Sequence, residues 1–229
     1  MALFRRFCLF CLPVVLFAAA SQPWQSKQAT DWNESDIHQI LNDSPWARMV
    51  KPKIDKSAER YRGRHRRPMM NVGGFGIGMG RRGGMNGPSP RESGSNLPPP
   101  VLTVRWESAF PVQVAELKGH DVDAPTMDKK HYAIAVYGIP NRMIDLDASG
   151  LNNRLKTQAV IKRSGKREIK ASKVEVIPRQ DNTAVVYFFP RSKEITRQDK
   201  VKFHAQIGRL QISQSFQPQD MIYQGKLDL

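Results

Sequence analysis

The most regular pattern of apolar and polar positions in this chain lies at residues 201–216. Taking Gly208-Arg209 as a two-residue turn with glycine first, as a type II′ turn prefers, opposes Ile207 to Leu210, Ala205 to Ile212, Phe203 to Gln214 and Val201 to Phe216. Seven of those eight residues are apolar, while the alternate pairs Gln206–Gln211, His204–Ser213 and Lys202–Ser215 are all polar. A slip of one residue would turn the apolar set to water, so the pattern predicts a hairpin of fixed register with one face on a core.

The same reasoning marks further strands upstream. Residues 101–106 and 173–176 alternate, residues 158–162 form a short run, and residues 132–137 and 183–189 are apolar at almost every position. Continuous apolarity predicts central strands covered on both faces, with Pro190 stopping the second. Period 3.6 replaces period 2 over 108–119, where Phe110, Val114 and Leu117 recur at i, i+4, i+7 and Gly119 closes the end; this predicts a short helix. Leu151 and Leu155 suggest one or two more helical turns. About seven strands with few helices predict a mainly β fold, a β-sandwich of immunoglobulin-like character; the alternative is an α+β single antiparallel sheet with helices on one face.

Ahead of this domain, Asn33 has the character of an N-cap, with Glu34 and Asp36 in the first helical turn. Ile37, Ile40 and Leu41 supply one apolar face, and Trp32 is placed to staple onto Ile37. Ser44-Pro45 reads as a second helix start, with Trp46, Met49 and Val50 on its apolar side. Helices this short do not hold in water alone, so Trp32, Ile37, Ile40, Leu41 and Trp46 are interaction candidates, toward the C-terminal domain or a protein partner.

Residues 1–20 have the form of an export signal: Arg5 and Arg6, an apolar run from Phe7 to Phe17, then Ala18-Ala19-Ala20 before Ser21. Removal after Ala20 takes away Cys8 and Cys11, the two cysteines of the chain, and excludes disulfide and thiol chemistry from the mature protein. The expected location is periplasmic or extracellular. A short helical motif over 21–56 then leads into a Gly/Arg/Pro-rich segment over 57–100, and the β-rich domain fills 101–229. Alternating glycines and repeated prolines disfavour helix and central strand, so 57–100 reads as a disordered linker.

The string Trp32-x-x-x-Asp36-Ile37-x-x-Ile40-Leu41-x-x-Ser44-Pro45-Trp46-Ala47-Arg48 resembles the N-terminal signature of exported bacterial proteins of unknown function, of the type found in soil acidobacteria. The segments at Val104-Arg105-Trp106-Glu107, Phe189-Pro190-Arg191 and Asp220-Met221-Ile222-Tyr223 are similar to elements of the same group, which also has a Gly/Pro-rich middle. Asn33 stands where threonine is more usual. The resemblance implies export and this architecture, and it brings no activity.

Charge changes the picture next. The chain carries 36 Lys and Arg against 21 Asp and Glu, a formal net charge of +15. Residues 51–100 hold 11 basic and 3 acidic residues, and 101–229 hold 21 and 14. Arg62, Arg64, Arg66, Arg67, Arg81 and Arg82, beside Tyr61, Phe75 and many glycines, form a patch suited to a polyanion. Export makes nucleic acid scarce and favours anionic polymers of the cell envelope, with membrane contact peripheral at most. Gly78-Met79-Gly80-Arg81-Arg82-Gly83 matches the dinucleotide fingerprint but has no strand before it or helix after it. The five histidines lie in five segments without metal-ligand spacing, and His120-Asp121-Val122-Asp123 lacks the full calcium-loop pattern. Glu107, Glu116, Asp145 and Asp147 are the carboxylates from which a hydrolytic pair would be drawn. The sequence thus points to a non-enzymatic binding module without cofactor or metal. A hydrolase built on acidic loops, or nucleic-acid binding through the Arg/Gly stretch, are the alternatives.

Overall fold

The structure, a computed structural model, describes residues 22–55, 98–120, 124–191 and 194–229. The segment read as an export signal, the linker arginines and Asp121–Asp123 lie outside the described residues. Two five-stranded antiparallel sheets face each other across one core. The first runs β1 (Ala47–Val50), β3 (Leu102–Trp106), β4 (His131–Pro140), β8 (Asn182–Pro190), β7 (Lys173–Pro178). The second runs β2 (Lys53–Ile54), β10 (Leu210–Phe216), β9 (Val201–Ile207), β5 (Ala159–Arg163), β6 (Lys166–Lys170). A small ribbon of β11 (Ile222–Tyr223) and β12 (Lys226–Leu227) completes twelve strands among the described residues. The sandwich prevails over the single-sheet alternative because both sheets are apolar on the faces that meet. Trp106 meets Phe216 edge-on at 5.3 Å, and Tyr187 and Phe189 meet Phe203 at 5.6 and 6.2 Å.

The hairpin β9–β10 has the register its alternation predicts, from Ile207↔Leu210 out to Val201↔Phe216. Gly208 takes φ 55, the left-handed value that the first turn position of type II′ demands. The two continuous apolar runs are β4 and β8, central and paired with each other. Their inner side chains join the shared core; Ala133, Ala135, Ala184, Val186 and Phe188 build a second apolar layer on the outer face.

Two readings of local sequence are corrected. Ser44-Pro45 opens a tight turn, not a helix: Ser44 and Ala47 exchange backbone hydrogen bonds at 3.1 Å, and Ser44 Oγ donates to Ile40 O at 2.7 Å. The chain then pairs as β1 with the free edge of β3, which satisfies more backbone groups than an isolated two-turn helix would. Secondly, the helix at 108–119 exists, as Phe110–Lys118, but its buried face is rotated: of the three predicted apolar residues only Val114 packs against the core, half-buried. Val112, Ala115 and Glu116 are buried, while Phe110 is 48% and Leu117 77% exposed. Strand β6 lies where the sequence pattern predicted no element, its residues being almost all charged. Its pairing to β5 supplies the order, and only Ile169 is buried.

Numbering helices in chain order, α1 is Pro23–Ser26, α2 is Glu34–Asn42, α3 is Phe110–Lys118 and α4 is Leu151–Thr157. Asn33 caps α2 in a full capping box: its side chain accepts from Asp36 N at 2.9 Å, and Asp36 accepts from Asn33 N at 3.0 Å.

Candidate functional site

The N-terminal candidates turn inward. Trp32, Ile40 and Trp46 are buried, Ile37 and Leu41 half-buried against the core. Trp32 packs edge-on against Tyr223 at 6.0 Å, and Trp46 against Trp24 at 5.9 Å while donating from Nε1 to Asp228 O at 2.7 Å. Their apolar surface is therefore occupied within the chain and forms no free partner surface. Arg62, Arg64, Arg66, Arg67, Arg81 and Arg82 fall outside the described residues.

Two carboxylates singled out in the sequence do converge. Arg105 on β3 donates from a terminal nitrogen to Glu116 Oε1 of α3 at 2.8 Å and from Nε to Leu41 O at 3.1 Å; Glu107 Oε1 lies 3.8 Å from the same Nε. The guanidinium lies 4.4 Å from the centre of the Tyr137 ring, whose hydroxyl donates to Glu116 at 3.4 Å. Glu107 is completely buried, close to Glu116 and Tyr137 but without a well-formed hydrogen bond to either. Burial first, and the Glu116 charge second, push its carboxyl well above the usual range; Arg105 offsets this only in part. Burial also raises the Tyr137 hydroxyl. The pair is enclosed by side chains, with Arg105, Glu107 and Glu116 all buried, so it reads as a polar joint between β3, α2 and α3. Asp145 and Asp147 are exposed on the connection before α4, apart from this pair.

A different feature is open to solvent. Where β5 ends and β9 begins, beside the end of β10, lies a groove of about 500 Å³. Lys162, Arg163 and Ser164 border it from one side, Lys200 and Lys202 from the other, and Ser215 faces Lys202 across the β9–β10 pair. Buried Val201 and Phe216 make its apolar floor. Lys162 and Lys202 are directly opposed on neighbouring strands, a like-charge pairing that a sheet normally avoids. Glu168 reaches Lys162 at 3.2 Å, whereas Lys200 and Lys202 have no carboxylate in salt-bridge range among the described residues. The field of this face is felt two residues away. Burial first, then Lys162 and Lys202, hold the His204 imidazole below its ordinary value.

Sequence reading missed this groove because its cations come from two separate segments and part of its wall from a third, united only by the pairing of β5, β9 and β10. The one local trace was Lys162-Arg163, where both faces of a strand carry charge. Among the described residues no group of three or more His, Cys, Asp or Glu is placed to hold a metal ion, and no helix is long and apolar enough to cross a membrane. Comparison of the chain with protein-family models, with curated proteins and with solved structures returned no match.

Proposed function

We propose that this chain is an exported, non-enzymatic binding module that associates with anionic polymers of the cell envelope, and that the groove at the ends of β5, β9 and β10 is its contact surface. One observation carries the reading: Lys162, Lys200 and Lys202, with the largely buried Arg163 beside them, line an open cavity, and among the described residues only Lys162 of these four has a carboxylate partner. Clustered like charge is unfavourable in the free sheet and is relieved when a polyanion supplies the counter-charge. The N-terminal export signal and the +15 net charge support the same partner class. The carboxylates of the hydrolase alternative support it poorly, since Glu107 and Glu116 lie enclosed behind β3 and α3.

The test is co-sedimentation of the mature chain with isolated cell envelopes. Binding should fall steeply as salt rises from about 0.01 to 1 M, where the screening length drops from ~30 to ~3 Å. A Lys200→Gln/Lys202→Gln variant should lose most of the salt-sensitive fraction with unchanged folding. Equal binding by the variant would remove the groove from the reading, and absence of envelope binding at low salt would remove the reading itself.

A further inference from the structure

The second sheet turns one face to the core and the other to solvent, and its registers set the outward side chains in rows across the strands. One row runs Lys162–Lys202–Ser215 over β5, β9 and β10. The next runs Lys170–Val160–His204–Ser213 over β6, β5, β9 and β10. A third joins Gln206, Gln211 and Lys53 on β9, β10 and β2. These rows hold four lysines and no aromatic ring. Strand β6 adds one carboxylate, Glu168, which Lys162 holds at 3.2 Å. From Lys170 on one edge strand to Lys53 on the other, the face crosses four strand spacings, about 19 Å.

Resting on the reading of the groove as a contact surface, we propose that the outward face of the second sheet holds a linear anionic polymer laid across its strands, and that protonation of His204 at its centre tightens the hold. A compact anion would meet only a neighbouring pair such as Lys162 and Lys202, on strands about 5 Å apart, whereas an extended chain meets the whole band. Without an aromatic ring on which a base could stack, charge is what this face can recognise. His204 lies one row from Lys202, roughly 7 Å along the strand. The charged groups around it are Lys162 of β5, Lys202 of β9, and Lys170 and Glu168 of β6; β10 brings the neutral Ser213. Helix α4, which leads into β5, carries Arg154 and Lys156 and no carboxylate. Burial first, then Lys162 and Lys202, hold the imidazole below its ordinary value, so in the unliganded chain it is a neutral gap in the band at neutral pH. An anion over Lys162 and Lys202 cancels their repulsion and favours the imidazolium. By linkage, a proton on His204 favours the anion to the same degree.

The experiment titrates the mature chain calorimetrically with poly(glycerol phosphate) and with glycerophosphoglycerol, its single-unit diester, at matched ionic strength and at about pH 7.5 and about pH 5, which bracket histidine titration. Phosphodiesters stay ionised over that range, so any pH dependence belongs to the protein. The polymer should bind roughly fivefold more tightly at the lower pH, with net proton uptake, and the single unit should bind far more weakly at both. His204→Gln should bind the polymer alike at the two pH values, with the melting temperature of the parent chain. In NMR titrations the His204 imidazole should gain its proton at a higher pH when the polymer is present. A pH gain that survives in His204→Gln traces it to another group, such as Glu168, and overturns the role of His204. Affinity for the single unit equal to that for the polymer overturns the extended face. If envelope binding still depends on Lys200 and Lys202 but not on pH, the groove stands and this inference alone fails; absence of envelope binding at low salt removes the reading beneath it.

Discussion

At the scale of single residues, the Arg105 joint has one cation and two carboxylates in a space closed to water. The arrangement balances with one proton on Glu107, leaving Arg105⁺ and Glu116⁻ as a hydrogen-bonded pair at 2.8 Å. Because the Glu107 pKa is raised in the folded state, its contribution is fully present below the ordinary value of 4.5 and is lost as pH rises through the folded value. Asp199 works in the opposite sense. Burial opposes its charge, but bonds from Lys166 and Thr196 outweigh that and hold it below 3.8, so its contribution disappears as pH falls through that lower value. Urea unfolding should therefore show greatest stability in mildly acidic solution and a decline as pH rises above that. Glu107→Gln, neutral at every pH, should flatten that decline; an unchanged slope would exclude Glu107 as its source. The two glutamates also back each other up, since either can serve as counter-ion to Arg105. Glu107→Gln or Glu116→Gln alone should cost clearly less than the double variant, which leaves the guanidinium unpaired and should cost about 3–5 kcal/mol. Additive single and double values would show that the two carboxylates do not share the arginine.

Elements differ in how much of themselves they write into sequence. The β9–β10 hairpin is legible because every second residue is apolar and the turn needs glycine. Gly208 has φ 55, and a Cβ there would meet Met143 O at 2.5 Å. Gly208→Ala should thus lower stability by more than the ~1–2 kcal/mol of left-handed strain alone, measured by urea titration. Helix α3 is legible as a helix but not in its orientation. Its largest apolar residues, Phe110 and Leu117, point outward, and the small Ala115 faces in. Phe110 instead lies on the Tyr223 ring at 5.5 Å. Burying Glu116 toward Arg105 fixes the rotation of the helix, and no apolar period can show an ion pair between segments eleven residues apart. Leu117→Lys should change stability by no more than ~0.5 kcal/mol, while Ala115→Leu should cost about 1–3 kcal/mol by overpacking against its buried surroundings. The reverse order would restore the face that periodicity predicts. Strand β1 and the cationic groove were illegible for one shared reason: each is made by backbone pairing with a distant strand.

Across the whole molecule, residues 22–55 are a structural part of the sandwich, not an appendage docked upon it. They supply β1 to the edge of the first sheet and β2 to the edge of the second, so one short crossing at Lys51-Pro52 ties both layers. Ahead of that crossing, Trp24, Trp32 and Trp46 seal the end of the core against Tyr223 and the last residues of the chain. Trp46→Ala would open a cavity under both the Trp24 ring and the Asp228 carbonyl and should cost about 3–5 kcal/mol. The intervening segment, 56–97, joins β2 to β3, two strands in different sheets. Cohesion between the pieces on either side comes from strand pairing and buried aromatic rings, so it does not require the covalent connection. A protease site placed within 57–97 and cut after folding should leave 22–55 and 98–229 eluting together in native size exclusion and separating in urea. Residues 98–229 produced alone would lack both edge strands and the tryptophan seal, and should melt without a cooperative transition. Separation of the cut pieces under native conditions, with 98–229 still melting cooperatively, would instead make the N-terminal segment a detachable motif and return its tryptophans to the role of partner contacts.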